Sequence, residues 1–175
     1  YPDRQWFSPL AAGSHEFLDK NGARVLDDRI GFHFYATGIT PFMVKPQVGA
    51  GSVYEIAATD NTGKMLDGGT TYSVTLPGPI PARNFWSFMV YDNHTRSILE
   101  TDQKTGGVDS KKEGMIKNDD GSVTVFFGPK APAGQENNWV QTMPGKGYNV
   151  LLRLYGPEQE WFDKTWKPSD FIPVK

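Results

Sequence analysis

Asp92, His94 and Arg96 occupy alternate positions in the stretch from Asn84 to Gln103. On an extended backbone that spacing aims all three side chains at one face. A histidine beside a carboxylate can act as a general base, its proton affinity set by that neighbour. An arginine on the same face can grip an anionic or carbonyl group through two parallel hydrogen bonds. The three are candidate catalytic residues of a hydrolase, with Asp92 and His94 as the acid–base pair and Arg96 orienting substrate. They suit a turn equally well, in which Asp92 and Asn93 satisfy local backbone and Arg96 pairs with Glu100 or Asp102.

A different chemistry is available at Gln135-Glu136-Asn137-Asn138-Trp139, after the Pro-rich loop 128–134. An indole face beside amide and carboxylate side chains is what a sugar-binding surface uses, combining stacking with paired hydrogen bonds. Glu136, Asn137, Asn138 and Trp139 are therefore candidate ligand-binding residues. The plainer reading makes Trp139 a core residue and the asparagines turn formers.

Other chemistries find little support. The histidines, His15, His33 and His94, are far apart, with no His-x-His pair or His-Glu-x-x-His run, so no metal site is expected. Zero cysteines exclude a disulfide framework and thiolate ligands. No Gly-x-Ser-x-Gly elbow occurs, and Gly145-Lys146-Gly147 lacks the spacing of a phosphate loop. Glu100 and Asp102 with Asp92 give only the pair of carboxylates that an acidic chain contains by chance. No cofactor is implied. The net charge of −2 and scattered Lys and Arg argue against nucleic acid as a partner. No run approaches the roughly 18 apolar residues that a membrane-spanning helix needs.

The elements that must position these residues read as mostly β. Phe85–Tyr91 is a continuous apolar run that delivers the Asp92 cluster, and Thr71–Leu76 alternates cleanly. Val53–Thr59, Ser122–Phe127 and Tyr148–Tyr155 are further strands, separated by turn sequences such as Asp60-Asn61-Thr62-Gly63 and Asn118-Asp119-Asp120-Gly121. No helical pattern of useful length lies between them, so antiparallel pairing is expected. Residues 23–36 predict a helix with Leu26, Ile30, His33 and Thr37 along one face. Pro157–Trp166 suits one short helix packing through Trp161, Phe162 and Trp166. Trp6, Phe7 and Phe17, in the N-terminal arm, must pack on something, within the chain or in a second subunit.

Three blocks, Asn84–Gln103, Asp120–Trp139 and Pro144–Trp166, resemble the family called domain of unknown function 1214. In that family the domain forms the C-terminal half of larger bacterial proteins whose N-terminal half is domain of unknown function 1254. Tyr1–Phe7 and Tyr35–Pro41 look like the stretch joining the halves. The resemblance implies a β-sandwich, a fragment or a short family member, and a periplasmic or cell-surface origin. It implies no activity.

The expectation is an antiparallel β-sandwich of jelly-roll type over residues 51–175, preceded over 1–50 by an aromatic-rich arm and one helix. Its expected function is to bind a carbohydrate-like or other small polar ligand, or a partner domain. Contact with a partner domain or a second copy would run through residues 1–40. The alternative is the hydrolase built on Asp92, His94 and Arg96, so whether the chain is an enzyme is left open.

Overall fold

In the computed structural model the described residues are 1–10, 15–36 and 45–174. In chain order the elements are α1 (Leu26–Ala36), β1 (Ser52–Ala57), β2 (Tyr72–Leu76), β3 (Ala82–Asp92), β4 (Gly107–Asp109), β5 (Val123–Gly128), a 3₁₀ turn (Glu136–Asn138), β6 (Trp139–Gln141), β7 (Tyr148–Pro157), α2 (Gln159–Phe162) and β8 (Ile172–Pro173). The strands form two four-stranded sheets, ordered β1-β7-β3-β4 and β6-β5-β2-β8.

Alternation explains why these segments pair as they do. In β2 every second residue, Tyr72, Val74 and Leu76, is buried. In β3 the inward set is Trp86, Phe88 and Val90, whose partners on β7 are Leu154, Leu152 and Val150. A one-residue slip would turn all six toward solvent, so the register is strongly specified. The outward side of β3 is only half covered, with Phe85, Met89 and Tyr91 partly exposed.

Aromatic rings join the sheets. Phe88 of the first sheet meets Phe127 of the second edge-on at 5.4 Å, and Phe127 lies 5.0 Å from Phe171. Trp6 completes the cluster at 5.7 Å from Phe171, with its indole nitrogen donating to the Ser169 carbonyl at 2.8 Å. The N-terminal arm thus plugs the same core as the strands.

Antiparallel pairing holds everywhere except between β5 and β6, which run parallel. The ten-residue connection 129–138 reverses direction through its own 3₁₀ turn and needs no long helix. The predicted face of α1 does not form: Leu26 and Ile30 are 60% and 65% exposed. Phe32 is buried instead, against Phe17 at 5.7 Å, while His33 is exposed. Thr37 lies outside the described residues. Among the described residues no helix is long and apolar enough to cross a membrane.

Candidate functional site

Glu55 lies on β1, the edge strand of its sheet, in phase with the core residues Val53 and Ala57. Its side chain therefore points inward, and the residue is 3% exposed. Burial of a carboxylate disfavours its charged form, and this pushes the Glu55 pKa up. The Lys164 ammonium opposes the rise from 3.4 Å.

The surroundings of this pair are aromatic. The Lys164 ammonium lies 3.8 Å from the centre of the Trp161 ring and 4.8 Å from that of Tyr1. The Trp161 indole N–H partly offsets the rise in the Glu55 pKa, yet among the described residues it completes no hydrogen bond. The Tyr1 hydroxyl is also buried without a hydrogen-bond partner among the described residues, and burial together with the Glu55 charge drives its pKa far above the usual tyrosine range. Native interiors leave few polar groups in this condition, so two beside one carboxylate call for a reason.

Glu55, Trp161 and Lys164 border a cavity of about 320 Å³. Pro9, Leu10, Phe32 and Val53 make it largely apolar, and Tyr54, Glu55, Trp161 and Lys164 supply its polar groups. Lys164 is also one of few non-glycine residues with positive φ, at 61°. The left-handed conformation costs an L-residue roughly 1–2 kcal/mol, and such strain gathers at ligand clamps. Lys164 lies two residues beyond α2, and its ammonium meets Glu55 of β1.

The residues singled out in the sequence are placed as follows. β3 ends at Asp92, so the backbone is not extended through Arg96, whose φ is 58°. Asp92 is buried, and its carboxylate accepts from the His94 and Thr95 backbone N–H groups at 2.7 and 3.2 Å and pairs with Lys146. The hydrogen bond from Lys146, aided by those amides, lowers its pKa to about 2. His94 and Arg96 are exposed, and the Arg96 guanidinium stacks 3.5 Å above the Phe34 ring. The three residues share one turn, with the carboxylate directed at backbone and Lys146.

Glu136 and Asn137 are exposed on the 3₁₀ turn. Asn138 is buried and ties three backbone groups, donating to the carbonyls of Ile116 and Thr124 and accepting from the Ile116 N–H, each at 2.8 Å. Trp139 is partly exposed, with its indole nitrogen donating to the Gly128 carbonyl at 2.9 Å. Asn138 and Trp139 thus point their polar atoms into the fold, and Glu136 and Asn137 face solvent beside them. Among the described residues no group of three acidic or histidine side chains could hold a metal ion.

The apolar content of Val53–Thr59 predicts the strand but does not single out Glu55. The available signal was its phase, two residues from Val53 and two from Ala57.

Comparison with known proteins adds the family and the fold. No functionally curated protein matches the chain. The VPA0106 protein from Vibrio parahaemolyticus is similar in structure, with a TM-score of 0.65 and 18% identity over 93% of this chain. An uncharacterised protein from Burkholderia cenocepacia superposes with a TM-score of 0.47 and 18% identity over 95% of this chain. The chain spans 40% of the Vibrio protein and 48% of the Burkholderia protein. At that identity the Vibrio likeness shows the fold alone. A family model matches residues 51–159, the greater part of the chain, which therefore belongs to the family described as Protein of unknown function (DUF1214).

Proposed function

We propose that this β-sandwich is a binding module whose ligand enters the cavity on β1 and makes its polar contacts with Glu55 and Trp161. The observation that carries this reading is the buried carboxylate beside an indole N–H that completes no hydrogen bond among the described residues, both at the wall of one largely apolar cavity. Small-ligand sites have this composition, with apolar walls and a few convergent polar groups. A hydroxyl or primary amide satisfies both groups at once, donating to the carboxylate and accepting from the indole. The ligand class is thus a small molecule with a compact apolar body and a hydroxyl or amide head, deoxy sugars included.

The test is a ligand-observed NMR screen of hydroxyl- and amide-bearing fragments and deoxy sugars on the unaltered chain, Glu55→Gln and Trp161→Phe. Binding that falls at least tenfold in both variants supports the site. Hits that bind all three proteins equally, or no hit at millimolar ligand, would sink it.

A second reading concerns Trp139, whose partly exposed ring is held by the bond to Gly128 beside the exposed Asn137 and Glu136. A ring fixed in this way suits stacking of a sugar face. Trp139→Ala would then abolish oligosaccharide binding that Trp161→Phe leaves intact.

A further inference from the structure

The outward face of the β1-β7-β3-β4 sheet carries a second groove, which shares no lining residue with the Glu55 cavity. Register places Tyr54, Arg153, Ser87 and Asp109 in one row across the four strands. Directly opposite side chains in such a row share one face. Arg153 donates from Nε to the hydroxyl of Ser87 at 3.0 Å, and Ser87 is itself buried. This bond holds the plane of the guanidinium. Among the described residues its two terminal nitrogens meet no carboxylate and no hydrogen-bond acceptor.

Arg153 lines a groove of about 580 Å³, in which it is joined by Lys111 and Lys112. Lys111 lies 4.8 Å from the centre of the Phe85 ring, which stacks on Tyr155 at 4.1 Å and an interplanar angle of 11°. Lys112 reaches the Glu136 carbonyl at 3.5 Å. The one acid in the groove, Asp109, receives the backbone N–H of Lys111 at 2.8 Å, and no cation pairs with it. Three cations thus face a single carboxylate that is turned to its own loop, in a chain whose net charge is −2. The remaining lining includes the polar side chains of Gln103 and Thr105.

A guanidinium anchored through Nε keeps the two-pronged edge that matches a carboxylate or phosphate. The two lysines in the same groove raise the local potential for anions. The size of the groove and its hydroxyl and amide groups exceed what a bare anion needs. We infer that this face binds an acidic sugar, its carboxylate or phosphate on the Arg153 fork with Lys111 and Lys112 lining the same groove, its hydroxyls toward Gln103 and Thr105. A uronic acid and a sugar phosphate share this chemistry.

Titration by ¹⁵N NMR with glucuronate, glucose 6-phosphate, glucose and inorganic phosphate tests the assignment and separates the sources. The expected result is binding of one or both acidic sugars at least tenfold tighter than glucose or phosphate, weakening as salt is raised. Shifts should centre on β3, β4 and β7. Arg153→Ala and the surface variant Lys111→Gln should each cut affinity, the first at least tenfold. Arg153→Lys should not restore it, because an ammonium cannot bond Ser87 and present a fork together. Glu55→Gln should leave binding unchanged, so this site and the cavity fail separately. Phosphate binding as tightly as the acidic sugars, affinity unchanged in Arg153→Ala or in Lys111→Gln, or no shift with any probe would each overturn the inference.

Discussion

Glu55 is the cross-strand partner of Leu152, and Leu152 is in turn the partner of Phe88. A carboxylate therefore occupies a register position that is filled by fully buried apolar side chains on the two neighbouring strands. Edge strands use inward charges to discourage pairing with other chains, and that role alone would suffice for a charge at this position. It does not account for the cavity beside the carboxylate or for the indole N–H that completes no hydrogen bond among the described residues.

Replacing Glu55 by Gln separates the cost of the charge from the value of the ion pair. Because burial raises the folded-state pKa above the ordinary 4.5, the stability due to this group is complete below that pH. It is lost as pH rises through the raised folded-state value. Glu55→Gln should therefore match the unaltered chain at pH 4 and exceed it at pH 7, by about 1 kcal/mol or roughly 2–4 °C in melting temperature. Urea unfolding across pH 4 to 8 measures it. A variant less stable at pH 7 would show that the bond to Lys164 outweighs the burial.

Lys164 tests the same balance from the other side. Lys164→Met leaves the carboxylate buried without its cation and should lose about 1–3 kcal/mol at pH 7, discounted for the partial exposure of the lysine. The loss should shrink toward pH 4 as Glu55 takes a proton. Lys164→Gly removes the ammonium too but relaxes the positive φ, so it should unfold about 1 kcal/mol later than Lys164→Met. Equal stability of the two variants would mean that φ of 61° carries no strain here.

The long strands were legible and the short ones were not, for a physical reason. Thr71–Leu76 and Tyr148–Tyr155 give enough residues for alternation to be read, and they are β2 and most of β7. The strands β4, β6 and β8 have two or three residues, less than two periods, and they exist because a neighbour offers free backbone groups. The helix was legible but its buried face was not. Leu26 and Ile30 share a face by spacing, yet contact with Phe17 selects Phe32 instead. For the candidate sites the limit was burial: spacing names Asp92, His94 and Arg96 together, and only the end of β3 shows that they lie in a turn.

Asn138 and Asn137 are adjacent and chemically identical, and they should behave differently. Asn138→Ala strands the Ile116 N–H and the Ile116 and Thr124 carbonyls inside the sandwich, and should cost roughly 2–4 kcal/mol. Asn137→Ala, at an exposed position, should change stability by less than about 0.5 kcal/mol. Thermal unfolding of the pair decides it. Similar losses would mean that the 3₁₀ turn depends on both side chains.

Asp92 and His94 give the last contrast, with the opposite pH sign from Glu55. The hydrogen bond from Lys146 and the backbone amides of His94 and Thr95 hold the Asp92 pKa at about 2, below its ordinary 3.8. Such a group contributes stability above its unfolded value, and the contribution is lost as pH falls through the folded one. Asp92→Asn should accordingly unfold at lower temperature than the unaltered chain at pH 7, with the gap closing between pH 4 and pH 2. His94 contributes a backbone N–H to this turn and carries an exposed ring, so His94→Ala should stay within about 0.5 kcal/mol of the unaltered chain. A His94→Ala loss as large as that of Asp92→Asn would show that the imidazole bonds the carboxylate in solution, the arrangement an acid–base pair requires. A gap that persists at pH 2 would show that the turn is held by packing instead of by charge.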